Sequence, residues 1–377
     1  MRRAYLAIAG IFAINGVLLA SWVARIPSVS RDLALNNAQV GIALLGVAVG
    51  SLSAFPFVGR FIARYGSARV TIACGLASCV AVILPAVAPH LLALFAGLVV
   101  LGASVGAMDV AMNAQGVEVE RTGTRAILNA LHGFWSIGGF VGATMGGWMA
   151  GMGVSVAVHL TTIAFATALV LLVVQRFLVP DVRSDDEVEA PVFMLPPRAL
   201  WGLGAIAFCA AIGEGAIADW SALYLNESLG TSVGVAASGY AVFSLAMVVG
   251  RFSGDALVAR MGAASVVRTG GAIAAVGLAA GLAVHTLTAS LIGFAVVGLG
   301  LSVIVPTAFS AAGRHPTIPR GTAIAAVATV GYAGLLAGPP TLGWVAELTS
   351  LRIALALVVI ACAIIVVLSP AAARSTT

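Results

Sequence analysis

Lysine is absent from this sequence, and charged residues of every kind are scarce. All 19 basic residues are arginine, and charged residues make up only 9% of the 377 positions, whereas a soluble domain carries about 25%. So few charges cannot cover a water-facing surface, which excludes a soluble globular protein. Apolar residues supply 61% of the chain, and glycine occupies a further 44 positions. The composition therefore predicts a membrane protein.

Other absences exclude further classes of protein. A chain without lysine cannot contain the phosphate-binding loop Gly-x-x-x-x-Gly-Lys, which argues against ATP as the direct energy source. The apolar runs show no alternation at a period of two residues, which argues against an outer-membrane barrel. The four cysteines have no metal-like spacing, so we predict neither a metal site nor a cofactor. The arginines occur singly between apolar runs, and no nucleic-acid partner is expected despite the net charge of +5.

Apolar runs of transmembrane length follow one another along the whole chain. A membrane-spanning helix needs about 20 apolar residues. The first run, behind Arg2 and Arg3, is longer than the apolar part of a signal peptide and is expected to be retained. We therefore predict an all-α membrane protein with twelve transmembrane helices, at about residues 4–24, 37–58, 70–88, 92–115, 127–150, 155–175, 199–223, 233–258, 266–284, 290–311, 321–346 and 352–369.

One long polar insert divides these spans into six and six. Residues 176–198 combine a cluster of acids, among them Asp181 and Glu187, with several prolines, a composition typical of a solvated linker that only tethers. We predict an N-terminal six-helix bundle at 1–175, a cytoplasmic linker at 176–198 and a C-terminal six-helix bundle at 199–377.

The two halves also resemble each other in sequence. Matching residues recur at corresponding places, at a shift of 198 positions or of 196. A transporter built from repeated halves would show this pattern. The matches are Ala20, Trp22 and Gly41 with Ala218, Trp220 and Gly239, and Arg64, Gly66 and Val70 with Arg260, Gly262 and Val266.

The arginines predict the orientation in the membrane. Fifteen fall on one side of the predicted spans and three on the other, while Arg251 lies within a span. Because short cytoplasmic loops accumulate basic residues, both termini are expected in the cytoplasm, with the chain in the inner membrane. We expect a monomer surrounded by lipid.

Polar side chains inside the spans are the best candidates for function, since they are costly in a bilayer. In the fourth span Asp109 and Asn113 are four residues apart and share one helix face. In the fifth span Asn129, His132 and Ser136 share a face by the same spacing. Asp109 and His132 fall at similar depths, where a carboxylate and an imidazole could exchange protons. The alternative is an interhelical hydrogen bond that only holds two helices together.

Further polar candidates lie in the first, fifth and seventh spans. Glu214 lies well inside the seventh span, 15 residues from its predicted start and nine from its predicted end, and is a proton-coupling candidate. Asp219 and Trp220 lie nearer its outer end, where they could instead face lipid headgroups. Asn15 and Trp135 are weaker substrate-binding candidates, because a lone Asn can bond a neighbouring helix and a Trp can serve packing alone.

The loop after the second span carries a recognisable motif. Gly59, Arg64 and Gly66 stand where the loop motif of the major facilitator superfamily has glycine, arginine and glycine, so the chain resembles that superfamily. The motif's acid, which precedes the arginine, is replaced by Ala63. The resemblance implies a latch between the halves. In the second half Arg251 and Asp255, one helical turn apart, form a related pair.

Within that superfamily the chain is most similar to the fucose-permease-like group of sugar and proton symporters. The similarity rests on Pro27 and residues 35–41, on Asp109 with Asn113, and on Asn129, Ser136 and Gly138. His132 stands where the group has a polar amide. Val23 replaces a second acid expected in the first span, a role that Glu214 could take over from the other half.

These observations favour a secondary active transporter, and not an enzyme, that moves a small polar solute by alternating access, driven by protons. A sugar is one candidate solute. A proton-driven efflux antiporter and a transport-inactive membrane sensor of the same fold remain alternatives. A membrane enzyme is disfavoured because no nucleophile motif or metal triad accompanies the intramembrane acids.

Overall fold

The computed structural model describes residues 2–121, 127–181 and 195–374, and this part of the chain is helical, without β-strands. Eleven of its helices are long and apolar enough to cross a membrane, and a 24-residue helix occupies the predicted fifth span. The predicted all-α membrane fold is confirmed. The main helices are α1 Arg2–Val23, α2 Asn37–Tyr65, α3 Ser67–Ala81, α4 Leu91–Arg121, α5 Leu128–Gly151, α6 Val156–Val174, α7 Trp201–Leu223, α8 Ser238–Met261, α9 Ala263–Val284, α10 Leu287–Leu301, α11 Arg320–Leu348 and α12 Leu351–Leu368.

Several predicted spans differ in detail from these helices. The first continues as a short helix, Ile26–Asp32, beyond a turn at Ala24 and Arg25. The third and tenth are broken, with the additional segments Leu84–Val87 and Ile304–Ala312. Helix α4 runs to Arg121, six residues past the predicted apolar run, because a helix can continue into water when its last turns are polar.

Matching features at a shift of 196 positions support the predicted repeat. Gly66 and Gly262 join α2 to α3 and α8 to α9 with nearly the same backbone angles, φ 85° and φ 79°, a region that favours glycine. Asn36 and Ser232 cap equivalent helix starts with their side chains. A Cβ at Gly102 would collide with the backbone of Val47, and one at Gly298 with that of Phe243.

Helix packing connects the two halves through two pairs. Helix α2 packs along α11, and α5 packs along α8. Within the first half α1 lies against α5 and α2 against α4, while in the second half α7 lies against α11 and α8 against α10. The predicted boundaries of the linker remain a prediction, since residues 182–194 lie outside the description.

The helical bundle is tightly closed at one end. We call the end with Arg2 and Gly66 the termini end, and the end with Asn36 the distal end. At the distal end Asn37 N–H donates to Glu347 Oε2 over 3.0 Å. On the α2 and α11 side, a Cβ at Gly343 would lie 2.7 Å from the carbonyl oxygen of Asn37. On the α5 and α8 side, a Cβ at Gly147 would lie 2.7 Å from the carbonyl oxygen of Gly234. At the distal end the backbones of the two halves are therefore in direct contact on both sides of the bundle.

This closure predicts an effect of a single methyl group. Gly147→Ala should disfavour the closed distal end, because the new Cβ would meet the Gly234 carbonyl and lie 2.9 Å from Ala237 Cβ. Spin labels can be placed at Asp32→Cys and Thr349→Cys, one in each half at the distal end, in a chain without its native cysteines. In Gly147→Ala the distribution of distances between the two labels should contain longer distances than in the same chain with Gly147. The control is Gly151→Ala on the same helix, where a Cβ meets nothing within 4 Å. Equal distance distributions for both variants would contradict the expectation.

Candidate functional site

Arg251 connects the two halves inside the bundle. It belongs to α8, and its Nη1 donates to Ser136 Oγ over 2.7 Å and to the His132 carbonyl oxygen over 3.1 Å, both on α5. Its Nη2 lies 3.8 Å from Glu214 Oε2 on α7. The Arg251 side chain is 13% exposed and that of Glu214 25%, so the pair is largely but not fully desolvated. The guanidinium of this α8 residue therefore contacts both α5 and α7.

Trp135 and Asn15 extend this contact into the first half. The guanidinium carbon of Arg251 lies 5.6 Å from the centre of the Trp135 ring, within the range of cation–π attraction. Trp135 Nε1 donates to Asn15 Oδ1 over 2.9 Å, and Asn15 Nδ2 donates to the Val105 carbonyl oxygen over 3.3 Å. A chain of polar contacts thus runs from α8 through α5 and α1 to α4.

Asp109 lies on α4 beside Asn113, as their spacing predicts. Asn113 Nδ2 donates to the Asp109 carbonyl oxygen over 2.9 Å and to Asp109 Oδ1 over 3.3 Å. The Asp109 carboxyl is half-buried and acts electrostatically on Arg251, although less strongly than Glu214. Within the described residues no hydrogen bond joins Asp109 to Arg251. The acid therefore keeps free acceptor capacity.

The ring of His132 contacts Phe12 and not Asp109, the partner that the sequence suggested. Its ring packs edge-on against Phe12, with ring centres 5.3 Å apart, and its carbonyl rather than its ring meets Arg251. In the part of the chain that the structure covers, no hydrogen bond joins His132 to Asp109. Any proton relay between them thus needs a rearrangement or an intervening water.

Trp220 and Asp219, near the distal end of α7, differ in their burial. Trp220 is fully buried and its Nε1 has no hydrogen-bond partner among the described residues, so the interfacial interpretation is wrong for this state. Asp219 is half-buried. The predicted substrate residue Asn129 lies in the first turn of α5, and its side chain lies outside the description.

Two tyrosines join the site that were not selected from the sequence. Tyr240 is buried, and its hydroxyl would lie 3.6 Å from a Cβ at Gly139 of α5. Tyr332 of α11 packs on Phe55 of α2, with ring centres 5.0 Å apart. Phe55 and Tyr332 are the equivalents, at a shift of 196, of Arg251 and Ser136. The repeat could therefore have identified this second contact between the halves.

An acid of the predicted linker lies beside the loop motif. Asp181, at the start of the predicted linker, accepts hydrogen bonds from the Ser67 backbone N–H and hydroxyl at the start of α3. Beside it the Val179 backbone bonds both ways to the Gln115 amide. The Asp181 carboxylate thus lies next to Gly66, one turn from Ala63, so the linker does more than tether. The contact between Asp181 and Ser67 could not be predicted from the sequence, because the two residues are 114 positions apart.

The other latch residues make local contacts. The Arg64 guanidinium lies over the ring of the adjacent Tyr65, 5.2 Å from its centre, and a Cβ at Gly59 would meet nothing within 4 Å. The predicted pairing of Arg251 with Asp255 remains a prediction. The described residues contain no group of three His, Cys, Asp or Glu side chains able to hold a metal ion.

Comparisons with known proteins match this architecture to a family. The model of the Major Facilitator Superfamily matches residues 4–339 and, in a second match, residues 203–375. An uncharacterised MFS-type transporter of Yersinia pestis is 34% identical over 343 residues, covering 91% of this chain and 89% of the relative. The uncharacterised transporter y4wD of Sinorhizobium fredii is 35% identical over 363 residues, covering 95% of each.

The fold also matches a solved structure. A bacterial homologue of the human lysosomal transporter Spinster, in an inward-facing and occupied conformation, superposes with a TM-score of 0.74. The alignment covers 98% of this chain and 96% of that one at 17% sequence identity. At that identity the likeness concerns the fold alone.

Proposed function

The chain belongs to the major facilitator superfamily, and from that premise we propose that it moves a small polar solute together with protons by alternating access. It is a multi-pass membrane transporter and not an enzyme. We propose further that it lies in the inner membrane with both termini in the cytoplasm, as the arginine distribution favours. The distal end, closed here, then faces outward.

The contact of Arg251 with α5 and with Glu214 is the observation that carries the proposal. An ionised Glu214 attracts Arg251, whereas a protonated Glu214 does not. Protonation would therefore weaken the charge contact that holds the Arg251 guanidinium between α7 and α5. Since α5 and α8 lie in different halves, a change in the position of Arg251 alters a contact that must rearrange when the transporter changes state.

Asp109 is proposed as the acid that exchanges protons with the cavity. Its carboxyl is half-buried and its hydrogen bond comes from the neutral amide of Asn113. A proton on Asp109 removes one of the negative charges acting on Arg251. The two acids, one in each half, thus share a single cation, which lets the charge state of one half influence the other. His132 is proposed to relay the proton once it approaches Asp109.

The solute is proposed to bind beside these groups. Asn113 offers a half-buried amide group and Trp135 a flat aromatic face, a combination suited to a compound with several hydroxyls. Asn15 is proposed to contribute by holding the Trp135 ring, because its own amide is buried and bonded to Trp135 and Val105. A sugar is accordingly the first class to test, in agreement with the resemblance to the fucose-permease-like group. Ser136, Asp219 and Trp220 remain proposed contacts, with the Trp220 N–H available if the outer end opens.

The test is solute-dependent proton movement in proteoliposomes that contain a pH-sensitive dye. A panel of neutral monosaccharides and polyols is added outside, without a pre-formed gradient. Symport predicts acidification of the lumen by the transported solute, because protons enter with it. Alkalinisation would instead identify an antiporter. Uptake of radiolabelled solute with no proton movement at any pH would exclude proton coupling.

A further inference from the structure

A second arginine is buried far from the proposed transport site. Arg25 lies at the turn between α1 and the helix Ile26–Asp32, and only 2% of its surface is exposed. Its Nε donates to Nδ1 of His159 on α6 over 3.0 Å, and His159 is fully buried. The predicted topology assigned Arg25 only to a loop of the distal side.

This pair leaves two hydrogen-bond donors without a partner. Because His159 Nδ1 accepts from Arg25, the neutral ring carries its proton on Nε2. Neither His159 Nε2 nor Arg25 Nη2 has a hydrogen-bond partner among the described residues. A Cβ at Gly146 would lie 3.8 Å from that Nε2, so the ring edge faces a position without a side chain.

The charge of Arg25 also lacks a counter-charge. An arginine side chain stays protonated in proteins, yet no ion pair among the described residues includes Arg25. Asp32, the acid that ends the same short helix, is exposed. Helix α1, with 22 residues, separates Arg25 from the termini end by about 33 Å.

We propose that Arg25 and His159 form an internal site for a small monovalent inorganic anion of about the size of chloride. The net positive charge and the unpartnered Nη2 N–H of Arg25 match such an ion, while His159 orients the guanidinium through Nε. Burial excludes a large organic anion. The ion would bind α1 to α6 within the first half, at the closed distal end. The site is independent of the proposed proton coupling, since neither residue contacts Arg251, Asp109 or Glu214 in the described structure.

The first test measures thermal unfolding of the purified protein in lipid nanodiscs. Chloride replaces gluconate at constant ionic strength, and the midpoint should rise by at least about 2 °C and saturate. Arg25→Met, which removes the charge but keeps an apolar side chain of similar length, should abolish the rise. Arg31→Gln, an exposed arginine on the same short helix, is the matched control and should keep it. A chloride effect that survives in Arg25→Met, or none in the native protein, would overturn the proposal.

A second measurement does not depend on any variant. Crystals of the native protein grown in bromide should show an anomalous scattering peak within about 3.5 Å of Arg25 Nη2. Density at that position without anomalous signal would mean an internal water only, and would also overturn the proposal. Transport activity takes no part in either readout, so failure here leaves the proposed function untouched.

Discussion

Asp109→Asn is expected to abolish proton-driven solute accumulation while solute exchange across the membrane continues. The amide has nearly the shape of the protonated acid and can keep the contact with Asn113, but it neither binds nor releases a proton. The charge of Arg251 then responds to Glu214 alone. Accumulation against an imposed pH gradient should fall at least about tenfold, which corresponds to about 1.4 kcal/mol of lost driving force. Counterflow of labelled solute at equal pH should remain within about threefold of the native rate.

The matched control for this experiment is Asp32→Asn. It makes the same chemical change at an exposed acid of the distal end and should leave both activities unchanged. Full accumulation by Asp109→Asn, with the pH gradient maintained, would reduce Asp109 to a partner of Asn113 that only stabilises α4. Loss of counterflow as well would assign Asp109 to solute binding rather than to proton coupling.

Local sequence patterns were sufficient for the fold and for contacts within one helix. The length and order of apolar runs predicted the helices, because every backbone group in a bilayer must be satisfied within its own segment. The four-residue spacing predicted the contact of Asp109 with Asn113. The repeat predicted Gly66 and Gly262 as equivalent junctions, which the similar backbone angles support.

Contacts between distant segments could not be predicted in the same way. Arg251 bonds to Ser136 across 115 positions, Arg25 to His159 across 134, and Asp181 to Ser67 across 114. Such pairs depend on how helices pack, and the residue spacings in a single sequence do not encode which distant segments meet. Spacing along a helix could suggest only Asp255 as a partner of Arg251, and it gave no sign that tertiary packing also brings Glu214 and α5 to the guanidinium.

Arg251→Gln is expected to have the second large effect, because one guanidinium serves both the contact between halves and the balance of charge around the acids. Glutamine can keep one hydrogen bond to Ser136 but leaves Glu214 without its cation. An exposed ion pair contributes about 0–1 kcal/mol and loss of one partner of a fully buried pair costs about 3–5 kcal/mol. The Arg251–Glu214 pair, at 3.8 Å and partly exposed, should fall between these limits.

We therefore expect transport by Arg251→Gln to fall at least about 30-fold, with a lower midpoint of thermal unfolding. Adding Glu214→Gln removes the stranded carboxylate, so the double variant should recover part of the thermal stability while transport stays low. Recovery of thermal stability without recovery of transport would support the coupling role of Arg251. If the pair were purely structural, thermal stability and transport would recover together. Arg260→Gln, at an exposed position in the last turn of the same helix, is the control. Native transport by Arg251→Gln would exclude Arg251 from the mechanism and leave its contacts with α5 as packing between the halves.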